Sequence, residues 1–81
     1  MNIHKVIGDN IRFARQKLAW TQIKLGENCG LHGDFIGRLE RGQENVSVDN
    51  LEKIAMALGL KIQNLFIEGF VLERDKSKPS S

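Results

Sequence analysis

Residues 22–41 read QIKLGENCGLHGDFIGRLER, and this stretch decides how the rest of the chain is read. Leu25 and Cys29 lie four apart, as inward positions of a short helix running from Gln22 to about Cys29. Thr21 stands in front of it as an N-cap, with a hydroxyl able to accept a free backbone N–H of the first turn. Gly30 ends it, since glycine tolerates the left-handed conformation of a residue just past a helix. A second helix runs from about Gly33 to Arg41, with Phe35, Ile36 and Leu39 apolar, and Gly42 stops it. Two helices joined this way meet at roughly 90–120°. Such a corner needs a small residue at the crossing (Gly26), a glycine at the bend (Gly30) and an apolar plug (Leu31).

Working outward, Ile3, Ile7, Ile11, Ala14 and Leu18 recur at spacings of three and four, so Asn2 to Leu18 reads as an amphipathic first helix. Arg12, Arg15 and Lys17 fall in its second half, where cations suit the helix dipole. Ala19-Trp20 forms the joint, with Trp20 packing there. Downstream, Ser47 caps a helix from Val48 to Leu58 whose inward residues are Leu51, Ile54, Ala55 and Leu58, and Gly59 ends it. Lys61 to Ile67 reads as a short fifth helix contributing Ile62, Leu65 and Phe66. No stretch alternates with period two for long enough to make a strand.

The totals bound the answer. Eighty-one residues make one domain, and the single cysteine, Cys29, rules out an internal disulfide and a cysteine-rich zinc site. Cys29 reads as a small core residue. His4 and His32 are far apart, with no triad partner, and neither is assigned to catalysis or metal. No metal, cofactor or enzymatic activity is expected. His4, Lys5, Asp9, Asn10 and Arg12 interrupt the first apolar residues, so no signal-peptide core forms, and no apolar run reaches the roughly 18–20 residues needed to span a bilayer. The chain is therefore expected to be soluble and cytoplasmic. Residues 1–41 hold seven Lys/Arg against four Asp/Glu, whereas residues 42–68 hold two against four. A basic front and an acidic back suit a protein that shows one face to a polyanion, although scattered solvated charges would read the same.

On these residues the chain resembles the Cro/repressor-type, or xenobiotic-response-element, helix-turn-helix family. The resemblance runs through Ile11-Arg12 and Arg15, Thr21-Gln22, Gly30-Leu31, and Ile36 with Arg38-Leu39-Glu40-Arg41-Gly42. It continues through Asn45-Val46-Ser47-Val48-Asp49-Asn50-Leu51-Glu52-Lys53-Ile54-Ala55 and Ala57-Leu58-Gly59 to Leu65-Phe66. The segment from Asn45 to Leu58 looks most like restriction–modification controller proteins and similar short regulators. The resemblance implies an all-α, five-helix, lambda-repressor-like domain over residues 1–68; the polar residues with the only proline, Pro79, read as a C-terminal tail over 69–81, partly disordered, from Glu73 onward.

It also implies roles. Gln22 matches the glutamine that hydrogen-bonds a DNA phosphate and braces the recognition helix, a contact that sets register rather than sequence choice. Arg15 and Glu40 match a partly buried structural salt bridge between helices one and three. Arg38 is the leading candidate for a base or phosphate contact, since an arginine there can grip guanine O6 and N7. It could equally pair with Asp34 at i, i+4. Arg41 and the loop from Gly42 to Asn45 are placed for phosphates, with Lys17 and Arg12 behind them. His32, Gly33, Asp34, Gly37 and Arg38 occupy the reading positions. Here the chain departs from its relatives: Gly33 and Gly37 carry no side chain to read a base, and each costs about 1 kcal/mol of helix propensity relative to alanine. Asp34 would repel a phosphate unless it accepts from a cytosine amino group. Glu44 stands where controller-like relatives often carry a basic residue. Leu65, Phe66, Phe70, Val71 and Leu72 are more apolar residues than so small a domain easily covers. They are assigned to a twofold dimer interface, with folding back onto the chain's own core as the alternative.

The expectation is thus a sequence-specific regulator of transcription that binds double-stranded DNA as a homodimer, by blocking RNA polymerase or by contacting it. A protein-interaction or antitoxin-like module on the same fold, with weak DNA binding, is the rival reading.

Overall fold

A computed structural model describes residues 2–71. Among them lie four α-helices and one 3-10 turn: α1 (Ile3–Lys17), α2 (Gln22–Cys29), α3 (Gly33–Glu40), α4 (Val48–Ala57) and the 3-10 turn Ile62–Phe66. The expected fifth α-helix is therefore a tighter, shorter turn. Five residues cannot gain enough i→i+4 bonds to offset helix nucleation, and Lys61 N–H is met instead by Asn64 Oδ1 at 3.0 Å. Asn2, Leu18, Arg41 and Leu58 stand as caps just outside the helices that the sequence pattern extends through them.

Local chemistry sets the ends. Asn2 caps α1 by accepting from the His4 and Lys5 amides, Thr21 caps α2 by accepting from Lys24 N–H, and Ser47 caps α4 by accepting from Asn50 N–H. Ala19, at φ 58°, turns the chain between α1 and α2 in a conformation that side chains disfavour. Gly30 turns it between α2 and α3.

One core holds the elements together. Ile11, Leu25, Ile36, Ile54 and Leu65 are fully buried, joined by Ile7, Ala14, Leu39, Leu51 and Ala55. Truncating any of the large ones to alanine would cost about 2–5 kcal/mol. Two glycines let backbones approach. A Cβ on Gly8 would sit 2.5 Å from Leu39 O, so α1 crosses α3 at the one α1 residue without a side chain. A Cβ on Gly26 would sit 2.2 Å from Leu31 O, which is why the bend after α2 can be so tight.

The last described residues are stitched to α1 by Asn10, which is buried on the apolar stripe three residues after Ile7. Its Nδ2 donates to Leu65 O at 3.0 Å and Ile67 O at 2.9 Å, with a longer contact to Asn64 O, and its Oδ1 accepts from Val71 N–H. Core packing thus continues past residue 68 to Phe70 and Val71.

Candidate nucleic-acid interface

The face formed by α3, the start of α2 and the loop after α3 is built on a buried polar network. Glu40 leaves α3 inward and is only 3% exposed. Its Oε2 accepts from Arg15 Nε at 2.7 Å and its Oε1 from Arg15 Nη2 at 3.0 Å, a two-point grip across α1 and α3. Arg15 Nη1 donates to Trp20 O at 2.7 Å, tying the α1–α2 joint to the same guanidinium. Gln22 Nε2 donates to Glu40 Oε1 at 3.1 Å, so the first residue of α2 is oriented by the same carboxylate. Burying so many polar groups is tolerable because each finds a partner.

Gly37 completes this arrangement, and its place corrects its reading as a blank base-contacting position. It is buried, and a Cβ on it would meet Gln22 Oε1 at 3.2 Å and Arg41 Nη1 at 3.4 Å. The Gln22 and Arg41 side chains therefore converge over α3 at the point where α3 lacks a side chain. Gly33, one turn earlier, lies against Ile23, whose side-chain Cγ1 and backbone a Cβ there would both meet. The two glycines admit the first turn of α2 rather than leaving holes in a reading surface.

The outer side is exposed and differently organised. Arg38 does not pair with Asp34: its Nε donates to Glu44 Oε2 in the loop, and Asp34 stands exposed in the first turn of α3. Arg41 Nε donates to Gln43 Oε1 at 3.1 Å. His32 and Asn45 are exposed, and His32 occupies the N-cap position of α3 without capping through its side chain. Two candidates lie elsewhere. Lys17 lines a groove with Leu18, Leu58 and Leu60, and Arg12 lies 3.6 Å from Asp9 with its guanidinium carbon 4.8 Å from the Phe13 ring centre.

The apolar residues assigned to a dimer interface separate. Leu65 and Val71 are in the core, at 0% and 4% exposure, and Phe70 packs against it, so the expectation that they lie on the surface is corrected for these three. Asn10 supplies the reason, since it draws the backbone at 64–71 onto α1. Phe66 and Ile67 remain exposed at 41% and 48%. Leu72 and the tail from Glu73 lie outside the described residues. Cys29 is buried, which pushes its thiol up from the ordinary value of 9.0 despite the opposing pull of the Leu31 backbone and Lys53.

Sequence reasoning missed Asn10, Gln43 and the bond from Gln22 to Glu40. Asn10 was findable, as a polar residue inside the apolar stripe of α1. Gln43 depends on how the loop after Gly42 returns along α3, and the Gln22–Glu40 bond on how α2 packs against α3, neither of which local patterning encodes.

Residues 11–65 match the helix-turn-helix family model. The chain belongs to the helix-turn-helix family. Its kind is the Cro/repressor type, that of DNA-binding regulators of transcription. The control protein C.BamHI of Bacillus amyloliquefaciens is 43% identical over 65 residues, covering 79% of this chain and 80% of that one. Among solved structures, the hypothetical transcription factor NHTF from Neisseria superposes with a TM-score of 0.80 at 32% identity, covering 91% of this chain and 83% of that one. The restriction-modification controller protein C.AhdI from Aeromonas hydrophila superposes with a TM-score of 0.74 at 35% identity, covering 78% and 96%. Among the described residues, no helix is long and apolar enough to cross a membrane, and no group of three His, Cys, Asp or Glu gathers as metal ligands would.

Proposed function

We propose that this chain is a cytoplasmic transcriptional regulator of the restriction–modification controller kind, which reads a double-stranded DNA operator as a homodimer with α3 in the major groove. The observation that carries this reading is the braced corner itself. Arg15, Glu40 and Gln22 lock α1, α2 and α3 together, so that the outer side of α3 is presented as a rigid unit. A rigid helix with an exposed arginine is what major-groove docking requires.

Around it the roles divide. Gln22 and Arg41, converging over Gly37, serve phosphates, with Asn45 beside them and Lys17 as an outlying contact. His32, Asp34 and Arg38 face base edges. Exposed Phe66 and Ile67 form the dimer contact, while Leu65, Phe70 and Val71 belong to the core. Twofold pairing there would set two copies of α3 one helical turn apart, about 34–36 Å, over a near-palindromic site. The regulator would act by blocking RNA polymerase or by contacting it.

The test is selection from a random duplex pool at low and moderate salt, followed by sequencing. An enriched palindrome with affinity falling steeply as salt rises establishes the reading. A protein-interaction module is the second reading, favoured by the acidic Asp34 and Glu44 on the outer face. No binding at either salt would select it.

A further inference from the structure

The Arg38–Glu44 pair lies on the outer face that the DNA-binding reading above turns toward the operator, and the inference drawn from it rests on that reading. Arg38 is 45% exposed at its side chain and Glu44 is 26% exposed. Glu44 is held where it is by its surroundings. Gln43 N–H donates to Arg38 O and Gly42 N–H to Leu39 O, both at 3.0 Å, so the loop doubles back along α3. Two residues after Glu44, Val46 packs on the core. The carboxylate is thus fixed beside α3, not carried on a free loop.

This has two consequences for a guanidinium. With Nε taken by Glu44, the Nη1–Nη2 edge is the pair of donors left for a partner, and two donors on one edge match guanine O6 and N7. An arginine free to swing would serve any phosphate within reach, raising affinity for all sequences alike. Pairing also cancels the charge: an Arg–Glu unit offers a duplex little net attraction, and an acidic side chain beside the groove opposes phosphates whenever the arginine finds no base. We propose that Glu44 is the specificity-determining residue of this interface, holding Arg38 edge-on for a guanine and penalising duplexes that lack one at that place.

The experiment repeats the duplex selection with the full chain, comparing the wild type with Arg38→Ala, Glu44→Ala, Glu44→Gln and the double alanine variant. Both residues are solvent-accessible, and unfolding curves check that the variants fold. The wild type is expected to prefer guanine at one position per half-site by at least about fivefold, the scale of a two-point base contact. Arg38→Ala abolishes that preference. Glu44→Ala reduces it to below about twofold, tightens binding to unrelated duplexes, and steepens the salt dependence by about one phosphate contact. Glu44→Gln keeps the preference, because its amide oxygen still accepts from Nε, while binding unrelated duplexes more tightly than the wild type. The double variant is no more selective than Arg38→Ala alone, because Glu44 acts on the base only through Arg38. An undiminished preference in Glu44→Ala overturns the proposal, and so does a wild type that binds duplexes without preference at that position. A wild type that binds no duplex overturns the DNA-binding reading and this inference with it.

Discussion

Glu40 and Glu44 are four residues apart, and each holds an arginine, yet the two pairs belong to different regions of the molecule. Glu40 is inside. Both of its oxygens accept from Arg15, and one accepts from Gln22 as well. Glu44 is outside, accepting from Arg38 through one nitrogen at a partly exposed site. Solvent screening makes the outer pair worth little to the fold, whereas removing one member of the inner pair strands a desolvated charge. The same chemistry therefore shapes the corner when buried and remains available to a ligand when exposed.

Arg15→Ala should break the inner region most severely. It leaves Glu40 buried and opposed by no cation, and removes the donor to Trp20 O, at a cost of about 3–5 kcal/mol. That is a large part of the whole stability of a domain this size. A urea midpoint close to wild type would place the two pairs on the same footing and dissolve the comparison.

Asn10→Ala should come next. It leaves the carbonyls of Leu65 and Ile67 and the amide of Val71 short of their buried partner, an expected loss of about 2–3 kcal/mol. The loss should be local: amide exchange should quicken at residues 64–71 before α2 and α3 respond. Uniform quickening across all helices would mean that Asn10 supports the whole core and not this segment.

The outer region should answer in the opposite sense. Arg38→Ala is expected to leave stability within about 0.5 kcal/mol of wild type, as surface changes do. Duplex binding should weaken by about 1–3 kcal/mol. Titration of a selected operator beside an unfolding curve checks both at once. Unchanged affinity would remove Arg38 from the interface; a large loss of stability would move it into the inner class.

How far these regions could be read from the chain follows the range of the interactions. Helices α1 to α4 were legible because Thr21, Ser47 and Gly30 punctuate apolar stripes within a few residues. Arg15 with Glu40 was legible only through family resemblance, since nothing local joins residues 25 apart. The partner of Arg38 was not legible. Asp34 sits at the helical spacing that favours a pair, but Glu44 is carried to Arg38 by the turn at Gly42, and geometry outweighed spacing. The burial of Leu65 and Val71 was not legible, because composition alone cannot tell that Asn10 pulls their backbone inward. The role of Gly37 was not legible either, because a helical wheel does not show that α2 begins directly over it.

Gly37 is also where the two regions meet, and Gly37→Ala gives the smallest and sharpest effect. The new methyl would meet the ends of two flexible side chains, Gln22 Oε1 at 3.2 Å and Arg41 Nη1 at 3.4 Å, rather than backbone. These ends can shift by a few tenths of an ångström. Alanine favours the helix over glycine by about 1 kcal/mol, so the crowding is offset and net stability should change by less than about 1 kcal/mol. Gln22 cannot move without disturbing its bond to Glu40, and Arg41 cannot move without disturbing its bond to Gln43. Duplex affinity should therefore fall several-fold for all sequences alike while the guanine preference at Arg38 persists, since the bond from Arg38 to Glu44 is untouched. Selection and unfolding measured on this one variant separate the outcomes. A fold destabilised by several kcal/mol would show that the convergence over Gly37 belongs to the inner bracing. Unaltered binding would show that Gln22 and Arg41 are not phosphate contacts.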